Sequence, residues 1–177
     1  MDIEALLEHR AEHDRFLAGH YASPVPEEHR ADFAGLDYFD PEPAWAMTGR
    51  WEEAEPHEMP IRSSTGTDST YTQVGIVVLS IAGGTYRLAV LDDGDGGRFI
   101  PFRDGTCGLT TYSGGRYVGI EVAEDDSALV DFNRAANPWC VYDDEFSCPL
   151  APPANWITDP IEAGEKMWRP TVGQSRP

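Results

Sequence analysis

"YTQVGIVVLSIAGGTYRLAVL", Tyr71 to Leu91, sets the architecture. Its apolar and β-branched residues recur with a period of two on either side of a glycine pair, the pattern of a half-buried strand rather than a helix. "IAGGTY" within it has the two-glycine hairpin signature, so 72–82 and 85–91 are expected to pair as antiparallel neighbours. The same vocabulary continues on both sides. "AWAMTGRW" (44–51), "HEMPIRSST" (57–65), "RFIPF" (98–102), "RYVGIEV" (116–122) and "SALVDF" (127–132) are short, rich in β-branched or aromatic residues, and set apart by turn formers such as "DDGDGG" and "EDDS". Without long helical segments between them, parallel crossovers have no room. The expectation is a mainly β protein, an antiparallel β barrel or sandwich over 44–133.

The flanks read differently. Residues 2–18 predict an N-terminal α-helix capped by Asp2 and ended at Gly19, with Ile3, Leu6, Leu7 and Leu17 on one face. Arg10 and Asp14 fall near the centre of that stripe, a place from which an arginine reaches across to a carboxylate. "SPVPEEHRADFAGLDYFDPEP" (23–43) predicts a wrapping segment that lays Phe33, Leu36, Tyr38 and Phe39 on the core. Residues 134–166 predict a second wrap, rich in Pro and containing Cys140 and Cys148, with 167–177 as a flexible tail. The 177 residues fit a single domain, 1–177.

Thirty-one Asp and Glu face thirteen Lys and Arg, for a formal net charge of −18, and Lys166 is the sole lysine. A field this negative repels phosphate backbones and anionic headgroups, which argues against nucleic acid and membrane partners. The acids are scattered rather than gathered in one tail, as in a halophilic protein hydrated by carboxylates over its whole surface. The start "MDIEALLEHR" has neither a basic nor an apolar leader region, and no apolar run reaches the roughly 20 residues of a membrane span. A soluble cytoplasmic protein is expected; composition is silent on oligomeric state.

Three stretches carry chemistry. "HRAEH", His9 to His13, matches the H-x-x-E-H pattern of inverted zinc proteases, but the helix starts almost at residue 1, His9 lies towards its polar side and His13 only borders the apolar stripe, so no metal site is expected. "PFRDGTCGLTTYSGGRYV" (101–118) brings Arg103 and Arg116 to a glycine-dense loop, where backbone N–H groups approach a neighbour closely. Two arginines there suit a carboxylate or phosphate ligand; the alternative is that they brace the loop against Asp104, Asp131 or Glu165. "DFNRAANPWCVYDDEFSCPLAPPANW" (131–156) places Asp131, Asn133, Arg134 and Asn137 at a strand end, where Asn and Asp also commonly satisfy turns. Cys140 and Cys148, with Cys107, are too few and wrongly spaced for a tetrahedral zinc site by themselves. A local disulfide and two buried thiols both remain open, and the acidic "DDE" nearby argues against a nucleophilic cysteine. No cofactor fingerprint occurs.

"FRDGT", "GGRY", "DFNRAANP" and "CPL", in this order, resemble the bacterial and archaeal family known as domain of unknown function 1684, over roughly residues 3–166. The resemblance implies no activity. It marks Arg103, Asp104, Thr106, Arg116, Tyr117, Asp131, Asn133, Asn137, Cys140, Cys148, Asn155, Glu165 and Lys166 as the family's core positions. Position 136 is Ala where the family usually has Tyr, and position 107 is Cys where a small hydroxyl is usual, which argues for a binding or structural role over catalysis. The resulting expectation is a small polar or anionic ligand held by Arg103, Arg116, Tyr117, Asn133 and Asn137, with no cofactor. The alternatives are a hydrolase using Asp104, Asp131 or Glu165 as general base beside Lys166 or an arginine, and a structural protein whose polar blocks only tie the wrap to the barrel.

Overall fold

The computed structural model describes residues 1–92 and 94–168. Six strands, β1 (Ala46–Arg62), β2 (Asp68–Ile81), β3 (Gly84–Asp92), β4 (Arg98–Phe102), β5 (Arg116–Val122) and β6 (Ser127–Asp131), form one closed barrel in chain order. Every neighbouring pair is antiparallel, and β6 closes the ring on β1. Closure leaves no sheet edge to template aggregation, and it decides between the barrel and sandwich readings.

The hairpin at the centre of the sequence lies one residue earlier than the glycine pair suggests. Ile81 pairs with Gly84, so the turn residues are Ala82 and Gly83, both at positive φ (49° and 85°), and Gly84 already belongs to β3. The two segments expected at 44–51 and 57–65 are one strand, β1, in which register with β2 shifts between Glu53 and His57. Pro56, which has no N–H to give, falls inside that irregularity.

The barrel interior is apolar, filled by Trp51, Val77, Leu79, Leu88, Ile100, Phe102, Val118 and Val130. Phe132 and, from the C-terminal wrap, Ile157, Ile161 and Ala163 plug one end. The wrap joins the barrel by an amide as well as by packing. Among the described residues β3 and β4 pair only at Leu91/Phe99 and Asp92/Arg98. Beyond these rungs the Asn155 Oδ1 accepts from Ala89 N at 2.7 Å, and its Nδ2 donates to the carbonyls of Ala89 and Pro101, both at 2.9 Å. One buried side chain thus supplies the rungs that the diverging strands lack.

Helix α1 (Ile3–Gly19) is capped by Asp2, whose carboxylate accepts from Ala5 N at 3.1 Å. Leu6, Arg10 and Leu17 are buried, whereas Ile3 and Leu7 stay about half exposed, so the apolar face is narrower than the sequence pattern. Arg10 reaches the backbone carbonyls of Phe39 (2.9 Å) and Asn133 (3.1 Å) rather than a carboxylate, and it lies over the Tyr38 ring. The short α2 (Glu27–Arg30) follows, and Phe33 and Leu36 join Leu17, Val25 and Tyr142 in a second apolar cluster between α1 and the wrap. Of the segment expected to be a flexible tail, Met167 donates its N–H to Thr110 O and Trp168 packs on Tyr142, while 169–177 lie outside the described residues.

Candidate functional site

Alternation along β4 and β5 separates the two arginines. Arg116 is two residues from the inward Val118 and therefore points into the barrel end, whereas Arg103 follows the inward Phe102 and points out. Gly115 makes the inward path possible. Its φ is +99°, and a Cβ there would meet the carbonyl oxygen of Phe102 at 2.4 Å.

The Arg116 side chain is fully buried. Its guanidinium donates to the carbonyl of Ala163, to that of Glu165 at 3.1 Å and to that of Ile161 at 3.0 Å. Asp104 Oδ2 lies 3.5 Å away, itself accepting from Ile161 N at 2.6 Å and from the Thr106 hydroxyl at 2.9 Å. Burial pulls the guanidinium's pKa down, and the charge of Asp104 opposes that pull. Arg116 and Asp104 are thus a buried pair that clamps the 161–165 backbone; both side chains are closed to solvent, and the buried Arg116 Nε has no hydrogen-bond partner among the described residues.

The other expected site residues are placed in the same way. Asn133 bridges Glu42, through Glu42 N to Oδ1 and Nδ2 to Glu42 O, each at 2.9 Å, and its Nδ2 also donates to Asp131. Asp131 caps the turn Phe132–Arg134 and lies 3.7 Å from Arg134. Asn137 donates its N–H to Glu165 Oε2 at 2.7 Å and its Nδ2 to Lys166 O at 2.9 Å. Glu165 also takes His13 Nδ1 at 3.0 Å and the Tyr142 hydroxyl at 3.4 Å. The Tyr117 hydroxyl donates to Pro149 O at 2.7 Å, and burial pushes its pKa well up. Lys166 lies over the Phe39 ring. At the two positions where the sequence departs from the family pattern, Ala136 exchanges backbone hydrogen bonds with Tyr117 and Cys107 contacts Asp104 through its thiol at 3.5 Å. His9 and His13 do not converge with an acidic third ligand, because His13 is turned to Glu165; among the described residues no three metal-binding side chains cluster.

Arg103 stands apart from this network. It borders a cleft of about 470 Å³ formed by the end of β1, the loop between β4 and β5, and the wrap. Arg62, Ser64, Tyr112, Leu150 and Trp156 line the same cleft. The Arg103 guanidinium lies 5.1 Å over the Trp156 ring, and among the described residues it has no carboxylate partner; the same holds for Arg62. Cation–π stacking orients Arg103 without neutralising it. Trp156, half exposed, is anchored by its Nε1, which donates to Ala151 O at 3.0 Å. Sequence reasoning named Arg103 but missed Arg62 and Trp156, which sit in a strand end and a Pro-rich run that meet only in the folded chain. A second cleft of about 480 Å³ holds Asp131 and Arg134 together with Asp2, Glu121 and Arg98, a mixture in which carboxylates and arginines already offset one another.

The class these features define is a six-stranded up-and-down antiparallel barrel, sealed at one end by a polar-clamped C-terminal wrap. The chain belongs to the family described as Protein of unknown function (DUF1684), whose family model matches residues 31–166. It is similar to the solution NMR structure of an uncharacterised protein from Haloarcula marismortui, with 36% identity over 92% of each chain and a TM-score of 0.72. No curated protein matches the sequence.

Proposed function

We propose that the protein binds a small anionic ligand in the cleft between Arg62, Arg103 and Trp156. The supporting observation is that two arginines without carboxylate partners share one concave, partly apolar surface in a chain of net charge −18, where acidic partners abound. The volume of about 470 Å³ falls in the range, roughly 300–1,000 Å³, of small-molecule sites. Arginine recognises carboxylate or phosphate through its planar fork, while Leu150, Tyr112 and the Trp156 ring offer an apolar wall to the rest of the ligand. Of the five residues expected from the sequence to hold a ligand, Arg103 keeps that role. Arg116, Tyr117, Asn133 and Asn137 act as braces that hold the cleft's walls in place. Binding is preferred over hydrolysis because Asp104 and Glu165 already accept hydrogen bonds from neighbouring protein groups. The reading includes a cytoplasmic location and no nucleic-acid or membrane partner, on the ground of the charge; no helix among the described residues is long and apolar enough to cross a membrane.

Thermal-shift screening of carboxylates, phosphates and nucleotides in concentrated KCl tests it. At least one anion is expected to raise the melting temperature of wild type, and Arg103→Gln and Arg62→Gln are expected to abolish the shift while melting as wild type does without ligand. A panel that moves neither wild type nor variant overturns the reading.

A further inference from the structure

Cys140 and Cys148 are free thiols brought together by the turn at Trp139–Val141 and by the bridge between Ser63 and Pro149. The Cys140 N–H donates to Cys148 Sγ at 3.4 Å, and the two thiols hydrogen-bond to each other. The Tyr112 hydroxyl lies 3.9 Å from Cys140 Sγ. Ser64 accepts from Cys148 N at 3.0 Å and donates to Phe146 O at 3.1 Å, so it ties the second cysteine to the same wall. Ser64 and Tyr112 both line the cleft, which puts Cys140 directly behind its wall.

We propose that Cys140 and Cys148 are an oxidisable pair, in which a hydroperoxide entering through the cleft converts the two thiols to a disulfide with Cys140 oxidised first. Cys140 is the sulfur placed to react first, against the Tyr112 hydroxyl that lines the cleft. The Cys148 thiol, with the neighbouring Ser64 and Tyr112 hydroxyls, outweighs burial and holds the Cys140 pKa below the ordinary thiol range, so no basic side chain is needed. The acidic "DDE" segment, which argues against a nucleophile from sequence alone, is not among the largest contributors to this balance. Cys148 is shifted the other way, first by its hydrogen bond to Cys140 and then by burial and the neighbouring charge.

The steps balance. The Cys140 thiolate attacks the distal peroxide oxygen; an S–O bond forms, the O–O bond breaks, and the leaving oxygen takes up a proton as water or an alcohol. Cys140 is then a neutral sulfenic acid, and both effects of its thiolate on Cys148 vanish. Cys148 sulfur attacks Cys140 sulfur; the S–S bond forms, the S–O bond breaks, and hydroxide leaves with the Cys148 proton as water. Two thiols lose two electrons and one hydroperoxide gains them.

The sequence allows a clean readout. Trypsin releases Ala135–Lys166 with both cysteines and Asp104–Arg116 with Cys107 alone, because no Lys or Arg lies inside either peptide. Protein reduced with dithiothreitol, desalted, treated with equimolar hydrogen peroxide and alkylated is expected to yield Ala135–Lys166 unalkylated and lighter by about 2 Da than the dithiol. Dithiothreitol should restore two alkylation sites, and Cys107 should stay alkylated throughout. Cys148→Ser is expected to stop at a Cys140 sulfenic acid captured by dimedone, and Cys140→Ser to leave Cys148 unreacted. Double alkylation of Ala135–Lys166 after peroxide, or peroxide consumption by Cys140→Ser as fast as by wild type, overturns the proposal. None of these readouts depends on an anion occupying the cleft.

Discussion

Asp104 and Arg116 face each other at 3.5 Å with both side chains closed to solvent, one on the loop after β4 and the other at the start of β5. Between them they take up one N–H and three carbonyls of the 161–165 backbone. A buried pair gains little over a well-packed apolar pair, but removing one member leaves the other charge and its carbonyl partners stranded. Arg116→Met is therefore expected to lower unfolding free energy by about 3–5 kcal/mol. The double variant Asp104→Asn, Arg116→Met should lose less than the sum of the two single losses. Urea denaturation at fixed KCl measures both; a loss under about 1 kcal/mol for Arg116→Met would contradict the clamp.

Asn155 carries a prediction of the same kind with a different signature. Asn155→Ala leaves one N–H and two carbonyls between β3 and β4 without partners and should cost about 3 kcal/mol or more. Asn155→Asp keeps the acceptor for Ala89 N but turns a carboxylate oxygen towards the carbonyls of Ala89 and Pro101. It is expected to be less stable than the alanine variant at pH 7 and to recover relative to it at pH 4, where the acid can donate. Equal behaviour at both pH values in thermal melts would mean that the amide is not bridging the strands.

The barrel was legible because its strands keep a strict period of two and short turns, and antiparallel meanders need nothing more. Where local order broke, legibility failed with it. The segments 44–51 and 57–65 read as two strands, since nothing local in "EEAEP" at 52–56 reveals that β1 continues through an irregularity around Pro56. The site was legible only in part. The difference between Arg103 and Arg116 is written in the alternation, because counting back from Val118 puts Arg116 inside and counting on from Phe102 puts Arg103 outside. Asn155 and Trp156 carry no such signal. Their roles depend on where a Pro-rich segment crosses the barrel, a contact 66 residues from Ala89.

The contact of His13 with Glu165 makes stability depend on pH. Burial pulls the imidazole's pKa down, but the hydrogen bond and charge of Glu165, helped by Asp14, outweigh it and leave the folded value above 6.5. A raised folded pKa means that the stabilisation is fully present below the unfolded value and is lost as pH rises through the folded one. His9 is shifted downward, chiefly by burial and then by Arg134, so its effect falls below pH 6.5 and has the opposite sign. Cys140, also shifted down, opposes His13 above that pH. The informative quantity is therefore the difference between wild type and His13→Gln, which should be largest near pH 6 and shrink by pH 8. A difference that stays constant across this window would show that His13 contributes by packing alone.

Salt is the last lever, and its sign follows from counting charges. Thirty-one acids stand against thirteen bases, and two of those bases, Arg10 and Arg116, are buried and so do little to offset charge at the surface. Glu53, Glu55 and Glu58 project from one exposed stretch of β1, and Glu52 is the one acid of that run held by arginines, Arg50 and Arg87, each at 2.5 Å. Self-repulsion in such a surface opposes the compact state more than the expanded one. Screening shortens from about 10 Å at 0.1 M salt to about 3 Å at 1 M, so melting temperature should climb steeply with KCl up to about 1 M and flatten beyond it. Sucrose at matched osmolality should not reproduce the steep part. Glu53→Gln, Glu55→Gln and Glu58→Gln combined should raise stability at low salt and reduce the slope; an unchanged slope, or full stability of wild type in dilute buffer, would place the acidic surface outside the folding balance.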